Sequence, residues 1–334
     1  MPRMGHAIAV LLSLLTHVAG AAEPPLVLER SIRLPDVRGR IDHMAIDLGR
    51  NRFIVAELGN GSVDVVDIDD GRVVKRITNL PEPQGVAYAA RGNVILVANA
   101  GDGSVRFFGA DDLTPLGTVA LGGDADNIRI DPRTGLAVVG YGNGGLAVID
   151  PVARRRLAVV KLPVHPEGFQ IDPATGHAFV NLPETRQIAA VDLDARTVIA
   201  YWRPTRWSAN FPMALAHNGQ LVTVFRSPPN LVVLDPRNGA VIQNLPVCGD
   251  ADDVFVDEKR QRLYVSCGSG EVAVMGHDAS GWVRLASIKT ASGARTSLFV
   301  PELDRLFVAE RSGSVGPDAA IRIYRPSDVR PAGD

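Results

Sequence analysis

The stretch DNIRIDPRTGLAVVGYGNGGLAVID, residues 126–150, decides the fold. It begins with a polar pair and a short apolar run that ends in Asp131. A Pro-Arg-Thr-Gly turn follows, then a second apolar run at residues 136–139, a glycine-rich turn and a third run at residues 145–150. β-Branched residues in period-two alternation, bounded by turn residues, are typical of strands. The stretch therefore predicts three consecutive strands.

The first segment of this stretch recurs along the chain. Clear copies are DHMAID at residues 42–47 and DDVFVD at residues 252–257, and each copy continues with a second, a third and a more polar fourth apolar run. A period of about 42 residues with four strands per unit is typical of propeller blades. The sequence therefore predicts an all-β fold, a seven-bladed β-propeller with four-stranded blades. The seven copies end at Asp47, Tyr88, Asp131, Asp172, His217, Asp257 and Pro301, at spacings of 40 to 45 residues.

The two ends of the repeat array complement each other. The seventh copy ends with its third strand at residues 321–324 and lacks a fourth, whereas residues 27–34 form an unassigned strand before the first copy. Pairing these ends would close the last blade with the N-terminal strand and remove the exposed edges of an open array. An open solenoid would need capping units, and none is seen. We expect one domain over residues 26–326 and a C-terminal tail over residues 327–334.

The N-terminus has the features of a secretory signal peptide over residues 1–21. Arg3 precedes an apolar run from residue 7 to residue 18, and small residues follow at positions 19–21. The run is shorter than the roughly 20 residues of a spanning helix, and no other segment is long enough, so we expect no membrane span. Cleavage would leave a periplasmic or secreted protein.

The two cysteines, Cys248 and Cys267, leave two alternatives open. In an oxidising compartment they can form a disulfide. Otherwise they are two reduced, half-buried thiols, and the sequence does not supply the geometry that decides between these.

The composition excludes several classes of protein. Lys and Arg number 35 against 37 Asp and Glu, and the resulting net charge of -2 argues against nucleic-acid binding. A hydrophobic content of 46% excludes a disordered chain. The 33 Gly and 23 Pro residues are spread along the sequence, as many short strands joined by turns require.

The repeats also resemble a known family. NVILVAN at residues 93–99, Gly-Ser-Val at residues 103–105 and GGDADN at residues 122–127 resemble the YVTN-type β-propeller repeat. The chain as a whole, over residues 26–326, is similar to the YncE-like periplasmic branch of that family. The resemblance implies the propeller fold. It leaves the function open, because the family includes binding proteins and relatives of lactone hydrolases.

Polar residues begin most copies, and this predicts a ligand site. The first strand of each propeller blade lines the central channel, so these residues should meet at one opening. Carboxylates crowded there repel one another unless they are protonated or neutralised by a cation. The repeat spacing puts Asp42, Pro83, Asp126, Glu167, Pro212, Asp252 and Thr296 at the first position. The predicted ligand-binding residues are Asp42, His43, Asn127, Glu167, Arg206, Trp207, Asp252 and Arg295.

The same opening is a candidate metal or catalytic site. Carboxylate and amide oxygens beside imidazoles suit a divalent ion, and the resemblance to gluconolactonase-like propellers implies Ca, Mn or Zn. The hydrolase pattern does not match residue by residue, and the alternative is that these residues cap strands and bind channel water. The candidate ligands are Glu57, Asp126, Glu167, Asn181, Asp252 and Asp253, and the candidate general bases are His43, His165 and Glu167.

Three functions remain open from the sequence. The first is a monomeric, exported propeller that binds a small molecule or a periplasmic protein. The second is a metal-assisted hydrolase or lyase of a lactone-like substrate. The third is an accessory of a periplasmic redox system, without covalent haem because no CxxCH motif occurs. The segment at residues 201–212, with two Trp and two Arg, either recognises the ligand or packs between blades.

Overall fold

The computed structural model describes residues 23–216, 219–312 and 318–328, so the predicted signal peptide lies outside the described residues. Within these ranges the strands form seven antiparallel four-stranded sheets, each built from chain neighbours except the last. This confirms the prediction of a seven-bladed β-propeller. Among the described residues, no helix is long and apolar enough to cross a membrane.

The strands of each blade follow one another from the channel outward. β1 (Leu26–Leu34) precedes blade 1, which consists of β2 (Met44–Asp47), β3 (Arg52–Glu57), β4 (Ser62–Asp67) and β5 (Arg72–Ile77). Blade 2 contains β6 (Pro83–Ala89), β7 (Val94–Asn99), β8 (Ser104–Gly109) and β9 (Pro115–Ala120), and blade 3 contains β10 (Ala125–Ile130), β11 (Ala137–Tyr141), β12 (Gly145–Asp150) and β13 (Arg155–Lys161). Blade 4 contains β14 (Phe169–Ile171), β15 (His177–Leu182), β16 (Gln187–Asp192) and β17 (Thr197–Trp202), and blade 5 contains β18 (Ser208–Leu215), β19 (Leu221–Ser227), β20 (Pro229–Leu234) and β21 (Val241–Pro246). Blade 6 contains β22 (Ala251–Asp257), β23 (Arg262–Cys267), β24 (Glu271–Asp278) and β25 (Gly281–Lys289), and blade 7 contains β26 (Ser297–Val300), β27 (Arg305–Glu310), β28 (Ala319–Pro326) and β1. Three short 3₁₀ helices, Leu58–Asn60, Ala90–Gly92 and Pro183–Thr185, lie in the connections between strands.

The N-terminal strand closes the ring, as predicted. β1 pairs antiparallel with β28, from Leu26 opposite Pro326 to Leu34 opposite Ala319. The buried face of β1 joins a hydrophobic cluster that also contains Phe53 of blade 1 and Phe307 of blade 7. The ring centroids of these two phenylalanines lie 4.1 Å apart. Apolar packing thus continues across the junction between the two ends of the chain.

The turn after the first strand is held by the aspartate that ends the repeat. The Arg133 amide donates to Asp131 Oδ1 at 2.9 Å, and the Ala174 amide donates to the corresponding Asp172 Oδ1 at 2.9 Å. Gly135 completes the turn with φ +69°, in the left-handed region that favours glycine. These aspartates are therefore structural, and they keep the copies in register.

Cys248 and Cys267 form a disulfide, with their Cα atoms 5.9 Å apart. Cys248 lies just before β22 and Cys267 ends β23, so the bond fixes the entry into blade 6. Both residues are buried in the cluster between blades 5 and 6.

Removing this bond is expected to destabilise the propeller. Replacing both cysteines by serine should lower the free energy of unfolding by about 3 kcal/mol, because the bond closes a short loop. The separation of 19 residues sets that loop. Guanidinium unfolding with and without a reductant measures the effect. The reductant should leave the double variant unchanged, and equal stability of oxidised and reduced wild type would contradict the prediction.

Candidate functional site

The strand register defines equivalent positions in all seven blades. In blade 1, Met44 pairs with Val55, and Ile128 with Val139 and Val254 with Val265 hold the same place in blades 3 and 6. The residue two positions before each such first-strand residue faces one cavity. We call these seven residues the channel ring: Asp42, Gln84, Asp126, Glu167, Phe211, Asp252 and Arg295.

In three blades, the first position predicted from the repeat spacing is wrong by one residue. The repeat spacing put Pro83, Pro212 and Thr296 at the first position, but the register gives the adjacent residue in each case. These are the copies that do not end in Asp, so they lack the residue on which the other copies were aligned.

The channel ring borders a cavity of about 230 Å³, which we call the polar chamber. A second cavity of about 420 Å³ also lies against the first strands and has a largely apolar wall, and we call it the apolar chamber. Six residues border both cavities: His43, Arg129, Gln170, Asp253, Val254 and Phe255. These six residues therefore stand between the polar chamber and the apolar chamber.

Asp126 lies between two imidazoles at the polar chamber. His43 Nε2 is 3.7 Å from Asp42 Oδ1 and 3.7 Å from Asp126 Oδ1, and His165 Nε2 is 3.9 Å from Asp126 Oδ2. His165 Nδ1 also lies 2.8 Å from the Gly142 carbonyl oxygen. Burial lowers the pKa of His43, which favours a neutral ring. Burial opposes the charge of His165, but Asp126 and the Gly142 carbonyl outweigh it and raise its pKa to about 9.

Several carboxyl groups of the chamber resist ionisation. Burial raises the pKa of Asp42 and of Asp253 well above the ordinary value. Burial, followed by the charge of Asp126, raises the pKa of Glu167 to about 7. The chamber therefore holds protons on acids that would be ionised in water.

Two arginines and Asp252 line the side of the chamber that blades 5 to 7 form, and Asp250 pairs with both arginines from outside the cavity lining. Arg226 Nη2 donates to Asp252, and Arg295 Nε lies 2.9 Å from the other carboxylate oxygen of that residue. Both arginines also approach Asp250 Oδ1, at 3.4 Å from Arg226 and 2.7 Å from Arg295. The Arg226 guanidinium lies 3.7 Å from the Phe211 ring centroid. These ion pairs and the contact with Phe211 hold the two arginines in place, so the wall is rigid and its charged groups face the cavity.

Two residues of the predicted metal set lie outside the polar chamber. Glu57 is buried in blade 1 beside Arg76, whose Nε is 3.8 Å from Glu57 Oε2. Asn181 Nδ2 donates to the Phe211 carbonyl at 2.9 Å, and Asn181 Oδ1 accepts from Asn210 Nδ2 at 2.8 Å. The Asn181 side chain thus holds the backbone of the channel-ring residue Phe211, but it does not face the cavity.

The Trp-rich segment contributes packing and one ring residue. Trp207 is buried against Phe225, with ring centroids 5.9 Å apart, and Arg206 lies 5.6 Å from the Trp207 ring centroid. Neither Arg206 nor Trp207 lines the polar chamber. The packing alternative therefore describes these two residues, while Phe211, which the sequence did not single out, reaches the cavity.

Six of the eight predicted ligand-binding residues are brought together at the polar chamber. These are Asp42, His43, Asn127, Glu167, Asp252 and Arg295, joined by the predicted His165, Asp126 and Asp253. In the described part of the chain, no three or more His, Cys, Asp or Glu side chains are placed to hold a metal ion. The divalent ion stays a prediction, and no chemical step is derived through one.

Comparisons with known proteins agree on the fold. No protein-family model matches the chain, and curated proteins give no significant match. A chain of Kuenenia stuttgartiensis hydrazine synthase is 15% identical, with a TM-score of 0.71 over 82% of this chain and 94% of that chain. A chain of the mitotic checkpoint complex is 14% identical, with a TM-score of 0.76 over 95% of this chain and 98% of that chain. At such low identity the likeness concerns the propeller fold alone.

Proposed function

We propose that the protein is an exported propeller that binds a small polar molecule in the polar chamber. The observation that carries the proposal is the channel ring, in which six of seven blade-equivalent positions bear a polar or charged side chain toward one cavity. The volume of about 230 Å³ lies below the roughly 300–1,000 Å³ of pockets for drug-sized ligands. A ligand of modest size and many polar atoms suits this space.

The wall of the polar chamber is arranged before any ligand arrives. Ion pairs hold Arg226 and Arg295 against Asp250 and Asp252, and backbone hydrogen bonds of the first strands fix the ring positions. A site held by rigid elements loses little entropy on binding. The predicted signal peptide and the disulfide support export as part of the same proposal.

A chamber-filling variant tests ligand binding. Gln84→Trp places an indole at the channel ring, where Gln84 is half-buried and makes one long hydrogen bond, 3.2 Å to Asp124. Wild type should melt at a higher temperature with at least one member of a panel of sugars, amines, amino acids and small carboxylates. Gln84→Trp should lose that shift, whereas Thr118→Trp on the exposed face of β9 should keep it. No shift with any compound would overturn the proposal.

Hydrolysis of a lactone-like substrate is a second candidate, favoured by the presence of both His43 and Glu167 in the lining of the polar chamber. The pKa of His43 is lowered by burial, and that of Glu167 is raised by burial to about 7. A neutral imidazole can accept a proton from water while a carboxylic acid donates one to the leaving oxygen. Lactones in the same panel, followed by acid release, address this candidate. Turnover that disappears in Glu167→Gln would favour it over simple binding.

A periplasmic protein is the other form of partner that the proposal allows. The polar chamber opens at the face where the β-strand connections of several blades meet, which suits an inserted side chain as well as a free molecule. Enrichment of a partner by wild type and its loss in Gln84→Trp would identify this form.

A further inference from the structure

Two buried oxygens at the polar chamber lack hydrogen-bond partners. Asp126 Oδ1 and Asn127 Oδ1 accept no hydrogen bond, although their residues are only 6% and 2% exposed. A buried acceptor left unpaired destabilises the folded protein. Both residues line the cavity. The pair is therefore a ready acceptor site for a donor group that enters the chamber.

The charges around the chamber favour a donor that is cationic. Six carboxyl groups line the cavity, against four arginines and the cationic His165. One of the two unpaired acceptors, Asp126 Oδ1, belongs to a carboxyl group. A hydrogen bond from a cationic donor to a carboxylate is stronger than one from a neutral donor.

The unpaired acceptors suit an ammonium group better than a divalent ion. Asp42 Oδ1 and Asp126 Oδ1 lie 3.7 Å from the same His43 Nε2, so the imidazole separates them. A divalent ion needs donors within about 2.0–2.6 Å, and no group of three His, Cys, Asp or Glu among the described residues is placed for that. An N⁺–H···O⁻ bond spans about 2.7–2.9 Å, and an ammonium carries three separate donors.

The remaining wall calls for hydroxyl groups. Arg40 Nε is a buried donor without a hydrogen-bond partner, and it lies in the same cavity as the unpaired acceptors. A hydroxyl both donates and accepts, so a polyol can satisfy donors and acceptors in any order. The amide groups of Gln84 and Gln170 line the cavity as well and have both functions.

We propose that the polar chamber binds a small hydroxylated primary amine, such as an amino sugar, whose ammonium group donates to Asp126 Oδ1 and Asn127 Oδ1. The inference rests on the proposed binding function and names the chemical class of its ligand. It also assigns Asn127 a direct contact with the ligand, with the ion-paired wall of Arg226 and Arg295 on the side that blades 5 to 7 form.

Three probes that share one ring skeleton test the charge requirement. Calorimetric titration with glucosamine, glucose and glucuronate at pH 6.5 compares an ammonium, a hydroxyl and a carboxylate on the same sugar. Glucosamine should bind at least tenfold more tightly than glucose, and glucuronate should bind most weakly. Equal or tighter binding of glucose or glucuronate, or no binding of glucosamine, would overturn the inference.

Matched variants locate the ammonium. Asp126→Asn should weaken glucosamine binding at least tenfold, and Asn127→Leu should weaken it by a similar factor. Asp70→Asn makes the same change of charge at a side chain that is 55% exposed and does not line the chamber, and it should change the affinity less than threefold. Melting temperatures and circular dichroism verify that each variant is folded. Wild-type affinity in folded Asn127→Leu would overturn the assigned contact even if Asp126→Asn failed to fold.

The two proposals fail in different ways. The ammonium inference is wrong and the binding function stands if glucose or another neutral compound stabilises wild type but not Gln84→Trp, while glucosamine does not stabilise wild type. If no compound of the panel binds at all, both are wrong.

Discussion

Replacing Ile32 by Asp is expected to open the ring and lower the free energy of unfolding by several kcal/mol. Ile32 lies in the closing strand β1, is only 2% exposed and pairs with Ile321 of β28. Truncating a buried isoleucine costs about 2–5 kcal/mol, and a carboxylate buried without a partner costs more. Loss of β1 would also expose the edge of β28 to other chains.

The neighbouring exposed residue provides the control for this prediction. Arg33→Asp introduces the same side chain in the same strand, on the solvent face. Urea unfolding should place Arg33→Asp close to wild type and Ile32→Asp far below it, and size-exclusion chromatography should detect association only for Ile32→Asp. If both variants unfold like wild type, the N-terminal strand does not hold the ring closed.

The blade pattern could be predicted because one aspartate has a fixed role in it. Asp131 and Asp172 accept hydrogen bonds from the turn that follows, so the residue type recurs at a constant place in the repeat. Where the aspartate is present, the first position was aligned correctly, as for Asp42 and Asp252. Where Tyr88 or another residue replaces it, the alignment slipped by one residue, because a β-strand offers no other local marker of register.

Part of the chamber wall could have been found from the strand pattern. Arg129 interrupts the apolar run of β10 at the position that Ala45, Ala87 and Ala214 occupy in other blades, by the pairing register. A charged side chain within a buried strand needs a polar surrounding, so Arg129 itself indicates a water-filled channel. Arg40 and Phe211 precede the aligned segments, and no periodic signal marks them.

The prediction that Glu57 and Asn181, at the ends of second strands, lie at the opening was wrong. A second strand lies about 4.8 Å farther from the propeller axis than the first, and the side chains of Glu57 and Asn181 do not reach the cavity. Asn181 accordingly contacts Asn210 and Thr223, and Glu57 contacts Ser62 within blade 1. The register also puts Leu182, one residue later than Asn181, level with Glu57.

Glu57 and Asp64 form a buried acidic pair in blade 1. Glu57 and Asp64 are both fully buried, and Arg76 Nε lies 2.6 Å from Asp64 Oδ1 but 3.8 Å from Glu57 Oε2. One arginine thus serves two carboxyl groups and lies closer to Asp64. Burial, followed by the neighbouring Asp64, raises the pKa of Glu57 to about 8. Glu57 is therefore protonated at neutral pH in the folded protein.

Folding stability should fall as the pH rises through the range in which the unfolded chain releases the Glu57 proton and the folded protein retains it. The pKa of Glu57 is about 8 in the folded protein against an ordinary value of 4.5. The stabilisation of the folded protein by the Glu57 proton is therefore complete below pH 4.5 and is lost as the pH rises to 8. Glu57→Gln keeps a neutral hydrogen-bonding group in place, so its free energy of unfolding should fall less over this range, by on the order of a few kcal/mol. Urea unfolding at a series of pH values gives both curves.

Blade 7 contains the matched control for this titration. Glu310 is the counterpart of Glu57, but Arg322 stands where blade 1 has Asp64, and its Nε lies 2.7 Å from Glu310 Oε2. Glu310→Gln removes a carboxylate that faces a cation at the place where Glu57 faces a second acid. The difference from wild type should therefore depend on pH between 5 and 8 far less than for Glu57→Gln, and Asp64→Asn should flatten the wild-type curve as Glu57→Gln does. Parallel curves for wild type and Glu57→Gln would mean that Glu57 folds in its ionised form, with Arg76 neutralising both acids.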